Sequence, residues 1–132
     1  LVANGAGAAS IACLNLLVGA GLKKENIVVC DREGVVHDGR TDLDSEKQKF
    51  ARTTNMRTLD DAMKDADVFL GLSAAGAVSK PMVKSMGKNP LIMTLANPVP
   101  EIMPEEVREV RTDAIICTGR SDYTNQVNNV LC

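Results

Sequence analysis

The sequence predicts an α/β domain built on a doubly wound parallel sheet. Three observations predict it. Short apolar runs alternate with helix-like segments along the 132 residues, a glycine-punctuated turn joins the first run to the first helix, and the second run, Ile27-Val28-Val29-Cys30, is apolar at consecutive positions. Continuous apolar strands belong to sheets covered on both faces, and β-α-β crossovers are right-handed, so helices are expected on both sides.

In chain order, residues 1–4 read as a strand end, followed by Gly5-Ala6-Gly7. Residues 8–20 read as a helix that is apolar almost all round and hence expected to be buried, with Gly21 as its stop. Residues 27–31 are the second strand, and 32–42 a polar stretch with Gly34 and Gly39 at turns. Residues 44–52 suit a charged surface helix, and Thr58-Leu59-Asp60-Asp61 a capping box opening a short helix to about residue 65. Residues 68–72 are the third strand; Ser79-Lys80-Pro81 opens a helix ending near Gly87. Residues 91–96 are the fourth strand, 104–110 a helix with Glu105 and Glu106 at its positive end, and 114–117 the fifth strand. Residues 128–132 read like the start of a further helix, with Asn128 or Asn129 as a possible N-cap.

Composition narrows the class. A length of 132 residues is about one domain, so residues 1–132 are read as a single unit. Leu1-Val2-Ala3 is short for a central strand and nothing stops the last helix, so the chain reads as truncated at both ends. Net charge is −2 and no basic block exceeds two residues, which argues against nucleic acid. The longest apolar stretch, 11–20, is broken by Asn15 and too short for a membrane span. Cys13, Cys30, Cys117 and Cys132 form no C-x-x-C pair and read as small buried hydrophobes of a reducing, cytoplasmic compartment.

The chemistry starts at the glycines. Gly5-Ala6-Gly7-Ala8-Ala9-Ser10, between strand and helix, matches the Rossmann-type dinucleotide fingerprint apart from Ser10 at the third glycine position. Gly5 permits the turn, and Gly7 lets the backbone approach a pyrophosphate at the helix N-terminus. Asp31 closes the second strand, where a carboxylate can accept from an adenine ribose, or simply cap a turn. It would repel a 2′-phosphate that the neighbouring Arg32 could pair with, which leaves NAD and NADP both open. Asn97, after the fourth strand, and Asn125-Gln126-Val127-Asn128-Asn129, after the fifth, carry amides that can hold a carboxylate or serve turns and caps. Gly71-Leu72-Ser73-Ala74-Ala75-Gly76 lacks the G-x-S-x-G spacing of a nucleophile elbow and fits a loop bordering a cofactor. His37 has no partner at metal-ligand spacing, and no carboxylate set has it either.

Residues 5–12 (Gly-Ala-Gly-Ala-Ala-Ser-Ile-Ala), 95–98 (Leu-Ala-Asn-Pro), 100–104 (Pro-Glu-Ile-Met-Pro) and the run 116–132 resemble the malic enzyme family, closest to its bacterial-type decarboxylating members. Thr124 stands where that pattern has Pro. The resemblance implies NAD(P)-dependent oxidative decarboxylation of L-malate to pyruvate and CO₂, assisted by Mg²⁺ or Mn²⁺, in a homo-oligomer. To the cofactor contacts read from the fingerprint and strand end (Gly5, Ala6, Gly7, Ala8, Ala9, Asp31, Arg32) it adds Ser73, Ala74, Ala75 and Asn97, and it implies substrate contacts from Asn97 and Asn129. The family's catalytic Lys and Tyr and its acidic metal ligands precede the glycine motif, so no catalytic or metal-binding residue is assigned here, and the fragment alone is expected to be inactive. The nucleotide domain of another two-domain dehydrogenase, or a non-enzymatic nucleotide-sensing module, are the alternatives.

Overall fold

The computed structural model describes residues 1–127. Its elements are β1 (Val2–Asn4), α1 (Ala8–Gly19), β2 (Val28–Asp31), β3 (Gly34–Val35), α2 (Ser45–Gln48), α3 (Leu59–Met63), β4 (Val68–Gly71), α4 (Lys80–Ser85), β5 (Leu91–Thr94), α5 (Pro104–Val110) and β6 (Ile115–Thr118). The sheet runs β3-β2-β1-β4-β5-β6. Five strands are parallel, as the alternating pattern predicts, and β3 alone pairs antiparallel, on β2.

Alternate residues of each strand feed opposite faces. Val2, Val28, Cys30, Phe69, Ile92 and Ile116 pack under α3, α4 and α5 together with Met63, Val83 and Val107. Ala3, Val29 and Leu70 pack on the other face with Ile11 and Leu14 of α1, and with Phe50. The two phenylalanines thus serve one face each, and burying such a side chain stabilises by roughly 1.5–3 kcal/mol.

Four expectations are corrected. Gly34 and Val35 do not merely turn: Arg32 and Glu33 form a two-residue turn, and the chain doubles back to form an edge strand. The helix expected over 44–52 is only the four residues of α2, capped by Asp44, whose carboxylate accepts from the N–H groups of Glu46 and Lys47. Helix α1 buries Ser10, Ile11 and Leu14 but leaves Leu16 74 % exposed, because only one side of it meets the sheet. Cys13 consequently lies exposed on that helix and Cys117 is half-buried, so only Cys30 fits the buried reading; Cys132 lies outside the described residues. The capping box is as expected: Thr58 Oγ1 accepts from Asp61 N–H, and the Asp61 carboxylate accepts from Thr58 N–H.

Candidate functional site

The crossovers out of β1 and into β4 leave on opposite sides, since β2 and β4 flank β1. Ligands of open parallel sheets bind at this reversal, beyond the C-terminal strand ends. Gly5 stands there with φ +108°, and a Cβ would lie 2.4 Å from the carbonyl oxygen of Leu72 on the adjacent strand exit. Only glycine fits both constraints. Its N–H donates to the Cys30 carbonyl at 2.9 Å, which ties the turn to β2 as well.

Gly7 is the N-cap of α1 and offers no side chain to cap it. The first turn contains no acidic residue, and beyond its chain neighbours no described atom lies within 4 Å of a Cβ built on Gly7. A 12-residue helix therefore presents uncapped N–H groups and its positive end at a clear backbone approach, an arrangement suited to a phosphate. The residues fit a dinucleotide. Ser10 is 1 % exposed and packs α1 on the sheet; its hydroxyl lacks a partner among the described residues.

Opposite the glycine turn lies the 72–76 loop. Ser73, Ala74 and Ala75 are exposed on it. Ser73 is held from two sides: Asn4 Nδ2 donates to its Oγ at 2.8 Å, and its N–H donates to Glu101 Oε1 at 2.9 Å. Glu101 Oε2 accepts from Ala96 N–H at 3.2 Å, so one carboxylate joins the exits of β4 and β5. Glu101 is fully buried, and Gly71 makes room for it: a Cβ there would lie 2.5 Å from Cδ of the carboxylate. The sequence reading missed Glu101, although an acid enclosed by Pro100, Ile102, Met103 and Pro104 was a visible signal.

Asn97 follows Ala96, is exposed at the same edge, and makes no hydrogen bond among the described residues; the Asn97–Pro98 peptide is cis. Asn125 is spent structurally, its Nδ2 donating to the Ile116 carbonyl at 3.0 Å. Asn128 and Asn129 lie outside the described residues.

Asp31 is bonded on both carboxylate oxygens. Oδ1 accepts from Arg40 Nη1 at 2.8 Å and from Glu33 N–H at 3.0 Å, and Oδ2 accepts from Arg40 Nη2 at 3.0 Å and from Lys47 Nζ at 3.3 Å. Burial alone would push the Asp31 carboxyl up, but the bonds from Arg40, Glu33 and Lys47 together hold it below the usual carboxylate value. Arg32, in the turn beyond, is exposed. Burial, with Asp31 nearby, pushes the Cys30 thiol up to about 12, so it is no nucleophile. The His37 ring nitrogen Nδ1 accepts from Gly39 N–H, a turn contact. Among the described residues no three His, Cys, Asp or Glu side chains converge, so they do not fit a divalent cation. Nor is any described helix long and apolar enough to cross a membrane.

Comparison with known proteins agrees with this geometry. The family model of the malic enzyme NAD binding domain matches residues 1–131. The chain is 63 % identical to an NADP-dependent malic enzyme of Haemophilus influenzae across its whole length, which is 18 % of that protein. It is 58 % identical to an NAD-dependent malic enzyme of Rhizobium meliloti, again across its whole length and 17 % of the relative. The crystal structure of an NAD-dependent malic enzyme from Thermotoga maritima superposes with TM-score 0.88 at 37 % identity, over 99 % of this chain and 36 % of that one. The chain thus spans less than a fifth of the two curated relatives. With a matching family model over nearly all its residues and a glycine turn shaped for a dinucleotide, this chain belongs to the malic enzyme family, as its NAD binding domain.

Proposed function

We propose that residues 1–132 act as one unit, the cofactor-binding part of a cytoplasmic, homo-oligomeric enzyme. That enzyme oxidises L-malate with NAD(P)⁺ and decarboxylates the product to pyruvate and CO₂. The observation that carries this reading is the uncapped N-terminus of α1 behind Gly5 and Gly7, at the point where the sheet reverses direction.

The backbone N–H groups of Ala8 and Ala9 hold the pyrophosphate, and Gly7 lets it come close. The Ser73-Ala74-Ala75 loop, fixed by Asn4 and Glu101, walls the cofactor on the β4 side. Asn97 projects from the neighbouring exit, where its amide can orient the reacting end of cofactor and malate without adding charge. Asn129 is assigned to the malate carboxylate by the family resemblance alone. When bound, the nicotinamide supplies the hydride acceptor, while the protein supplies orientation. The Mg²⁺ or Mn²⁺ that the family implies would need ligands other than the described residues.

The test uses the full-length protein with L-malate, Mn²⁺ and either NAD⁺ or NADP⁺, following reduced cofactor and pyruvate together. Both products are expected. Reduced cofactor without pyruvate would replace this reading by a non-decarboxylating dehydrogenase, and malate turnover by residues 1–132 alone would refute the fragment's expected inactivity.

A further inference from the structure

Resting on the reading of Asn97 given above, we propose that Glu101 is a positioning residue for Asn97. Its buried carboxylate closes the 96–101 loop and seats it on the 73–78 loop, so that the Asn97 amide meets malate already oriented.

Asn97 has little of its own to hold it. It is exposed and makes no hydrogen bond among the described residues. Residues 97–99 stand out to solvent, while Ala96 on one side and Pro100, Glu101 and Ile102 on the other are buried. What fixes the protruding segment is its base. Glu101 Oε2 accepts from Ala96 N–H at 3.2 Å, so the residue that ends the loop binds the residue that begins it.

The same two residues, Pro100 and Glu101, also hold the loop after β4. Glu101 Oε1 accepts from Ser73 N–H at 2.9 Å and from Ser73 Oγ at 3.4 Å, the Glu101 carbonyl accepts from Val78 N–H at 3.0 Å, and the Pro100 carbonyl accepts from Gly76 N–H at 3.1 Å. The two loops thus form one hydrogen-bonded body, which Asn4 Nδ2 ties to β1 through Ser73 Oγ. Glu101 is 0 % exposed, and none of the ion pairs among the described residues includes it. A carboxylate buried without a cation is costly, and both oxygens of this one are turned on backbone N–H groups of the two loops. Gln would offer one acceptor for two donors, and Asp is a methylene too short to span them. An amide held in place in advance spares the substrate the cost of ordering it.

Kinetics of the full-length protein with L-malate and Mn²⁺ test this at saturating dinucleotide, so that weaker cofactor binding does not enter. Glu101→Gln and Asn97→Ala should each lower kcat/KM for L-malate by about tenfold or more. Because both act through one amide, the double variant should lie within about threefold of the worse single one, whereas a role confined to stability would multiply the losses. The same pattern should appear without turnover in the Kd of L-malate titrated into the protein saturated with reduced dinucleotide, where no hydride can pass. Glu109→Gln, which breaks an exposed pair with Lys80, should change none of these values. If Glu101→Gln does not fold, Gly71→Ala, whose Cβ would drive the carboxylate aside, should give the same loss. Losses that multiply in the double variant overturn the proposal alone, as do malate constants that Asn97→Ala worsens and Glu101→Gln leaves unchanged. A wild type that binds no dinucleotide, or malate constants that Asn97→Ala does not move, overturn the reading beneath it as well.

Discussion

Glu101→Gln is the sharpest probe of how the site is held. The native carboxylate accepts the Ser73 N–H on one oxygen and the Ala96 N–H on the other. A glutamine must place its NH₂ where one oxygen was, facing a backbone N–H that then has no acceptor, while the remaining bond loses its charge. Losing a charge-assisted bond costs roughly 1.5–3 kcal/mol, and relief of carboxylate burial offsets part of this, so about 2 kcal/mol is expected. That corresponds to about a 30-fold larger population of the locally opened state. Hydrogen exchange on the full-length protein reads it directly: amides in 68–78 and 91–103 should exchange about 30-fold faster, and dinucleotide affinity should fall with them. Glu109→Gln, which breaks an exposed pair with Lys80, should change neither. Protection within about threefold of wild type in Glu101→Gln would refute the idea that this carboxylate joins the two strand exits.

Gly5→Ala should destabilise the domain by roughly 3 kcal/mol or more, from positive φ plus the Leu72 clash, whereas Gly7→Ala, at an N-cap where Gly outranks Ala, should cost about 1 kcal/mol and also weaken dinucleotide binding in a titration. Ser10→Ala removes a buried hydroxyl that lacks a partner among the described residues and should raise stability by about 1 kcal/mol in denaturant unfolding; a loss would mean that the hydroxyl is bonded. The Arg111 guanidinium and Asn89 N–H hold the Asp113 carboxyl down to about 2, below its ordinary 3.8. Its contribution is therefore complete above about pH 4 and fades as pH falls toward 2, so the stability gap between wild type and Asp113→Asn should close over that window in acid-unfolding curves.

What the sequence reveals follows from range. The capping box at Thr58 and Asp61 and the Gly5–Gly7 turn are local, and both are readable from neighbours alone. The five parallel strands carry their own apolar signal. Strand β3 does not: Gly34 and Val35 are two residues with no period, and pairing with Cys30 and Asp31 makes them a strand. The bonds on Asp31 join residues 9 and 16 positions apart through that hairpin and the seating of α2, so none of them shows in the neighbours of Asp31. Helix α1 is misjudged for a different reason. A helix apolar on every side does not reveal which side the sheet covers, and Leu16 is left outside.

The antiparallel edge has a consequence for how such domains diverge. Strand β3 pairs only with β2, so the turn carrying Arg32 and the segment leading to Arg40 and Lys47 hang at the sheet's margin, away from the central strands. The Gly5 turn sits instead between β1, β2 and β4, where Gly5 tolerates no replacement. Mutational drift at the margin can therefore accumulate without touching the central turn, so exchanges between close relatives should gather at this edge while Gly5 and the core stay fixed.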